Sequence, residues 1–238
     1  MAENFEFFVY IVESPSATDV YHARSEGERV ASTLRLDGVP CVTRTAINHE
    51  AFVAALRVGL PEAMKVFPGR YPVLHLSAHG SSAGIQLSTG QVIGWPELRE
   101  LLVPINQSLN GALLLCMSAC EGYSACQMAM QEDDSPHPYF VMIGNCGTPT
   151  WSDTAVAYLA FYHLLAKGRV IQDAVEAMSA ASGDPNWLTE SADQSKLGYI
   201  AYLKEQTTPA ETQQQLEAAV ELQPLPEGVK ALELAAVG

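Results

Sequence analysis

Residues 113–122, LLLCMSACEG, begin as an uninterrupted apolar run and end in small and reactive side chains. A short apolar run without polar alternation is typical of a strand that is buried on both faces of a parallel sheet. Residues 74–80, LHLSAHG, show a similar pattern one core strand earlier in the chain. The two stretches therefore predict two strands of one sheet, and each ends near a residue that can take part in catalysis, His79 or Cys120.

Strand and helix patterns alternate along the rest of the chain. Strands are predicted over Phe5–Val12, Val39–Ala46, Val73–Ala78, Ala112–Ser118 and Tyr139–Gly144, with a small hairpin at Ile85–Leu87 and Gln91–Ile93. The predicted helices include one from Thr18 or Asp19 to about Leu36, a short one over Ser124–Met130, and two over Thr154–Lys167 and Val170–Ser182. This order predicts an α/β fold, a three-layer α/β/α sandwich with a mostly parallel central sheet.

The chain has 238 residues, enough for one compact core with an appendage. We expect an α/β domain over residues 1–203 and an acidic helical extension over residues 204–238. Thr208-Pro209-Ala210-Glu211 has the pattern of a capping box at the start of a helix in this extension. The sequence leaves open whether the extension packs loosely on the domain or docks on a partner protein.

The 27 acidic and 13 basic residues give the chain a formal net charge of −14. A chain of this charge repels a phosphate backbone, so we expect no nucleic acid as a direct partner. No apolar stretch is long enough to span a membrane, and Glu3 and Glu6 stand where a signal peptide would carry basic residues. We therefore expect a cytoplasmic protein without a membrane partner, in which the five cysteines are free thiols.

The predicted strand ends bring a thiol and an imidazole to one edge of the sheet, because parallel strands end on the same side. Cys120 beside His79 is the smallest nucleophile–base pair, and we expect the imidazole to lower the thiol pKa. The backbone amides of Gly80 and Cys120 could together stabilise an oxyanion, since Gly80 has no side chain to block a substrate. The cysteines lack the paired close spacing of a zinc site, so no metal is expected.

Several motifs follow one another in the middle of the chain. They are His79-Gly80, Ser118-Ala119-Cys120-Glu121-Gly122, Trp151-Ser152-Asp153 and Phe161-Tyr162-His163-Leu164. In this order they resemble the caspase-like cysteine peptidases, and more closely their bacterial CHAT family. The resemblance covers roughly residues 70–180, and it departs from the family pattern in a longer and more polar loop before Trp151.

The resemblance implies a caspase-like cysteine endopeptidase in which Cys120 is the nucleophile and His79 carries the proton. It implies no metal or organic cofactor and a protein substrate. It further implies an effector of bacterial anti-phage defence or programmed cell death that a separate sensor or activator protein switches on. The alternative is a non-catalytic caspase-like adaptor that binds a partner protein, and labelling of Cys120 by a thiol-reactive peptide ketone would separate the two.

Four further residues are candidates for binding the substrate. By comparison with caspases, Ser118 and Glu121 stand where side chains help to define specificity, and neither is basic. We therefore expect no cleavage after Asp and a preference for a small, neutral or apolar residue before the cut, with a basic residue as the second choice if an acidic loop side chain reaches the pocket. Cys146 follows the fifth predicted strand near the same edge, and Asp153 is better explained as a helix cap than as a third catalytic group.

Overall fold

A computed structural model describes the backbone of residues 6–221 and the side chains of residues 6–206. The chain divides into two compact units between Leu197 and Gly198. The first unit holds the whole sheet, and the second contains the later part of the last helix. No helix in the described part of the chain is long and apolar enough to cross a bilayer.

The central sheet is mostly parallel. The strands of the described residues are β1 (Phe7–Ser14), β2 (Cys41–Thr45), β3 (Tyr71–Ser81), β4 (Gly84–Gln86), β5 (Val92–Gly94), β6 (Leu114–Ser118), β7 (Val141–Asn145) and β8 (Trp187–Ser191). The main path runs β2-β1-β3-β6-β7-β8, and the hairpin of β4 and β5 pairs with the end of β3. All neighbours on the main path are parallel except β7 and β8, which are antiparallel.

Helices cover both faces of the sheet. They are α1 (Ala17–Tyr21), α2 (Gly27–Leu36), α3 (His49–Ala54), α4 (Leu60–Val66), α5 (Trp95–Ser108), α6 (Trp151–Ala166), α7 (Ile171–Ser182) and α8 (Ala192–Glu221), with a π-helical turn at Ala55–Gly59 and a 3₁₀ helix at Gly122–Ala129. One apolar cluster packs α3, α4 and α5 on the sheet through residues such as Phe52 and Leu98. The other packs α2, α6 and α7 through residues such as Leu34 and Phe161. The three-layer α/β/α prediction is therefore confirmed.

The structure differs from the sequence-based prediction at four places. The expected helix from Thr18 to Leu36 is two helices, because Ser16 caps α1 and the chain then turns to bury Glu26 before α2. The short helix after β6 is 3₁₀ and begins at Gly122. Strand β8 was not predicted, and α8 begins at Ala192 and continues past Thr208, where a helix start was expected. The division at residues 203 and 204 stays a prediction.

The register of β3 and β6 positions the candidate residues. The two strands are parallel neighbours in the middle of the sheet, and Ser77 pairs with Ser118 at their carboxyl ends. His79 lies two residues further along β3, and Cys120 lies two residues beyond the end of β6. Both residues therefore lie at the same edge of the sheet, as the two apolar stretches predicted.

Candidate active site

His79 and Cys120 line one small cavity at the carboxyl edge of the sheet. The cavity has a volume of about 160 Å³, and its remaining lining comes from the strand ends and the start of α6: Ala78, Ser118, Ala119, Pro149, Thr150, Trp151 and Thr154. The His79 side chain is 42% exposed. Cys120 is half-buried, so both reactive groups are open to a substrate.

The His79 ring is held on one side by a carboxylate. Its Nε2 atom lies 2.8 Å from Oδ2 of Asp19, and its ring meets the edge of Trp151 at a centroid distance of 5.6 Å. An ionised carboxylate only accepts hydrogen bonds, so Nε2 carries a proton in this pair. In the neutral ring, Nδ1 is then the nitrogen that can accept a proton from a thiol.

Asp19 is itself fixed by the start of α1. Ser16 and Asp19 form a capping box, in which the Asp19 amide donates to the Ser16 hydroxyl and the Ser16 amide donates to Oδ2 of Asp19, each at 3.2 Å. The Ser16 hydroxyl also donates to Oδ2 at 2.5 Å. The other carboxylate oxygen accepts from Nε1 of Trp151 at 3.1 Å and lies 4.0 Å from the Arg24 guanidinium. Burial alone would raise the pKa of Asp19, but the hydrogen bonds from Ser16 and His79 outweigh it and hold that pKa below its usual value. Asp19 is therefore an ionised carboxylate at neutral pH.

Sequence reasoning assigned Asp19 only to a helix cap and missed its contact with His79. Two signals were available. The first predicted strand ends at the same sheet edge as the others, and Ser16 and Asp19 have the spacing of a capping box directly after it. In the structure, Oδ2 of Asp19 accepts from both Ser16 and His79.

The pKa of the Cys120 thiol differs from the expectation. Burial raises its pKa, and the neighbouring Glu121 carboxylate raises it further. The prediction that the imidazole lowers this pKa is therefore wrong. At neutral pH the thiol is protonated, and its activation requires a base that can take the proton.

Gly80 packs closely on the loop that holds Cys120. A Cβ atom at Gly80 would lie 2.8 Å from Cβ of Ala119 and 3.3 Å from the backbone nitrogen of Cys120. Real Cβ atoms almost never come so close to another carbon, so only glycine fits here without a shift. The joint role of the Gly80 and Cys120 amides as an oxyanion site stays a prediction.

The four predicted substrate residues have different surroundings. The Ser118 side chain is buried at the base of the cavity, and its hydroxyl donates to Glu26 at 2.7 Å. Glu121 has a left-handed backbone with φ of 51°, and its amide donates to the Gly147 carbonyl at 2.7 Å. Cys146 is exposed, with its thiol 3.8 Å from Oδ1 of Asn186, and it is not among the residues that line the cavity.

Asp153 is a helix cap in the structure. It forms a capping box with Thr150 at the start of α6, and the hydrogen bonds from Thr150 lower its pKa. It therefore has the same local role in α6 that Asp19 has in α1, and it is Asp19 that contacts His79.

A second cavity of about 670 Å³ adjoins the first and shares Thr150 and Trp151 with it. Arg24 and Arg29 line this second cavity. These arginines line the neighbouring cavity and not the one with Cys120, and the expected absence of cleavage after Asp stays a prediction. Among the described residues, at the site or away from it, no cluster of three or more His, Cys, Asp or Glu side chains could hold a metal ion.

Comparison with known proteins finds similarity in structure but not in sequence. No family model and no curated protein matches the chain. Among solved structures, a complex of the Porphyromonas gingivalis RgpB pro- and mature domains matches with a TM-score of 0.50 and 12% identity over 80% of this chain. The Arg-specific cysteine proteinase gingipain R (RgpB) matches with a TM-score of 0.46 and 14% identity over 79% of this chain.

The mixed α/β fold, with its mostly parallel central sheet between two layers of helices, resembles that of the RgpB complex. The match to the RgpB complex includes 48% of that chain, so this protein spans about half the length of the structures that it resembles. At such low identity the likeness concerns the fold alone. The cavity with His79 and Cys120 must therefore be interpreted from its own geometry.

Proposed function

We propose that the chain is a cysteine endopeptidase in which Cys120 attacks a peptide carbonyl and His79 transfers the proton. The observation that carries this proposal is the Asp19–His79 hydrogen bond of 2.8 Å beside the cavity that contains the thiol. A histidine that acts as a catalytic base is usually oriented by a buried carboxylate, and here Asp19 orients the half-exposed His79 in this way. A non-catalytic adaptor would not need this arrangement.

The geometry suggests a reaction in two stages. As Cys120 Sγ bonds to the peptide carbonyl carbon, Nδ1 of His79 accepts the thiol proton, and the ionised Asp19 stabilises the resulting imidazolium. The tetrahedral oxyanion collapses when the carbon–nitrogen bond breaks, and the imidazolium gives its proton to the leaving amine. His79 then accepts a proton from the water that attacks the acyl thioester. The carbon–sulfur bond breaks, the carboxylic acid is released, and the imidazolium returns its proton to the Cys120 sulfur.

We further propose that the chain is a cytoplasmic member of the CHAT family and that a separate sensor or activator protein switches it on in anti-phage defence or programmed cell death. The motif order around His79, Cys120 and Trp151 supports this assignment. Co-expression with the products of neighbouring genes, followed by a search for a protein fragment whose formation requires Cys120, would test it.

The catalytic proposal is tested with three cysteine variants and one histidine variant. Cys120→Ala and His79→Ala should each reduce peptide cleavage to background while the protein remains folded, since both residues lie at the sheet edge. Cys116→Ala should keep near-parent activity, because Cys116 is fully buried in β6. Cys146→Ala, at an exposed thiol, should also be active. Cleavage that persists in Cys120→Ala would refute the proposal.

A further inference from the structure

A second polar cluster lies beneath the candidate site. Glu26 follows α1, and its side chain is 1% exposed. Its Oε2 atom accepts hydrogen bonds from the hydroxyls of Ser77 and Ser118, each at 2.7 Å. The same oxygen lies 3.6 Å from Nε2 of His75, whose Nδ1 lies 2.9 Å from the Tyr162 hydroxyl. None of these contacts involves a reactive group of the site.

The two serines occupy matching positions on the strands that lead to the reactive pair. Ser77 on β3 and Ser118 on β6 are direct partners in the parallel register. Ser77 lies two residues before His79, and Ser118 lies two residues before Cys120. Because alternate residues of a strand share a face, Ser77 and His79 lie on the same side of β3. A single carboxylate oxygen therefore joins the ends of both strands.

Placing a carboxylate in this buried space has a free-energy cost. Burying an ionised group costs several kcal/mol unless it is well paired, and an apolar side chain of similar size usually costs less. Burial would raise the pKa of Glu26, but His75 and the two serines outweigh it and lower that pKa, so the group stays ionised. The carboxylate instead fixes the positions of the two strands relative to each other, because one acceptor holds donors on both of them.

The segment that carries Glu26 is the one that carries Asp19. On either side of Glu26, the chain is attached to a second buried carboxylate at the end of β1. Glu13 accepts from the Ser25 hydroxyl at 2.8 Å and from the Gly27 amide at 3.0 Å. The backbone around Glu26 is therefore fixed, and a shift of its carboxylate relative to the strands is resisted from both sides.

We propose that Glu26 is a positioning residue of the peptidase, which sets the spacing of the β3 and β6 ends through Ser77 and Ser118. This spacing determines how closely the Cys120 thiol approaches His79. The inference rests on the proposed function, because it concerns the same thiol and base. Since the thiol is protonated, its reaction depends on proton transfer, and a misplacement of about 1 Å can slow such a step about 100-fold.

The experiment measures alkylation of the full chain by iodoacetamide at neutral pH, with each cysteine quantified by mass spectrometry. Glu26→Ala and the double variant Ser77→Ala/Ser118→Ala should each slow alkylation of Cys120 at least about tenfold. Combining all three changes should slow it no further, because the carboxylate and the serines act as one unit. The exposed Cys146 is the internal reference, and its rate should not change.

Two controls separate positioning from general stability. In a His79→Ala background, Glu26→Ala should have no further effect on Cys120, since the base that it positions is absent. Asn106→Ala removes a buried polar side chain that bonds the backbone of Leu113 and His137, away from Glu26 and the serines, and it should change the Cys120 rate less than about twofold while lowering the melting temperature. All rates are measured well below the melting temperature of each variant.

The outcomes separate this inference from the proposed function. If alkylation of Cys120 in the parent chain does not depend on His79, the proposed function is wrong. If it depends on His79 but is unchanged by Glu26→Ala and by the serine variants, only the positioning role is wrong. Equal slowing by Glu26→Ala in the parent and the His79→Ala backgrounds, or equal slowing by Asn106→Ala, would also overturn the positioning role.

Discussion

The hydrogen bond between Asp19 and His79 leads to a quantitative prediction. Asp19→Asn keeps the size of the side chain but removes its charge. The Asn amide either accepts from Nε2 without stabilising an imidazolium, or it turns its NH₂ group towards Nε2 and favours the tautomer whose Nδ1 carries the proton. Either orientation weakens His79 as the base for Cys120, so we expect kcat to fall while substrate binding changes little.

The size of the effect follows from the distance. With Nε2 and Oδ2 2.8 Å apart, the charge centres of an imidazolium and a carboxylate are about 4 Å apart, which gives about 4 kcal/mol at an effective dielectric constant of about 20. His79 is 42% exposed, so solvent screens part of this attraction. A net loss of about 2–3 kcal/mol, usual for hydrogen bonds to charged groups, reduces kcat about 30- to 160-fold.

The assay measures kcat and KM on a fluorogenic peptide that the activated parent cleaves, with Asp153→Asn as the matched control. Asp153 completes a capping box in α6 just as Asp19 does in α1, but its carboxylate is bonded to Thr150. Both variants therefore weaken a cap, and only Asp19→Asn should reduce kcat strongly. A kcat for Asp19→Asn within threefold of the parent, or an equal loss in Asp153→Asn, would refute the role of Asp19.

Two further predictions concern packing and pH. Gly80→Ala should reduce activity more than tenfold and destabilise the domain by about 1–3 kcal/mol, because its Cβ would lie 2.8 Å from Ala119 Cβ. The control variant Gly94→Ala should be tolerated, because the nearest atoms there are 3.7 Å from the added Cβ. A fully active Gly80→Ala would contradict this prediction. Asp19 and Asp153 have lowered pKa values, so their ionised forms stabilise the fold. The melting temperature should be steady above about pH 5 and fall as the pH drops below about 4. The fall should be less steep in Asp19→Asn. A melting temperature that does not change between about pH 5 and about pH 3 would contradict this prediction.

The apolar runs were sufficient to predict the sheet and its reactive edge. Strands such as β3 and β6 are buried on both faces, so they have a signal that does not depend on the rest of the fold. Strand β8 has a weaker signal, because only Trp187 of its five residues is fully buried. As an antiparallel edge strand that follows two helices, it was easily mistaken for a connecting loop.

The partners of His79 and Cys120 were less accessible to sequence reasoning. Asp19 lies 60 positions before His79 and 132 before Trp151, and Glu26 lies 92 before Ser118. Local patterns indicate only which residues cap a helix or face the core. They therefore predict that Asp19 caps a helix, and they give no sign that a glutamate such as Glu26 is buried. Only the packing of the α1 segment across the strand ends brings these carboxylates to the site.

The thiol pKa and the position of the carboxylates together indicate where the proposed peptidase activity would be controlled. A protonated Cys120 depends on His79 for its activation, so the rate depends steeply on the geometry of the pair. That geometry is set largely by the segment between β1 and α2, through the Asp19 contact with His79 and the Glu26 contacts with Ser77 and Ser118. An activator that moved this short segment would change the orientation of the base and the spacing of the strand ends at once. Alkylation of Cys120 is therefore the measurement most sensitive to a bound partner, and it requires no knowledge of the substrate.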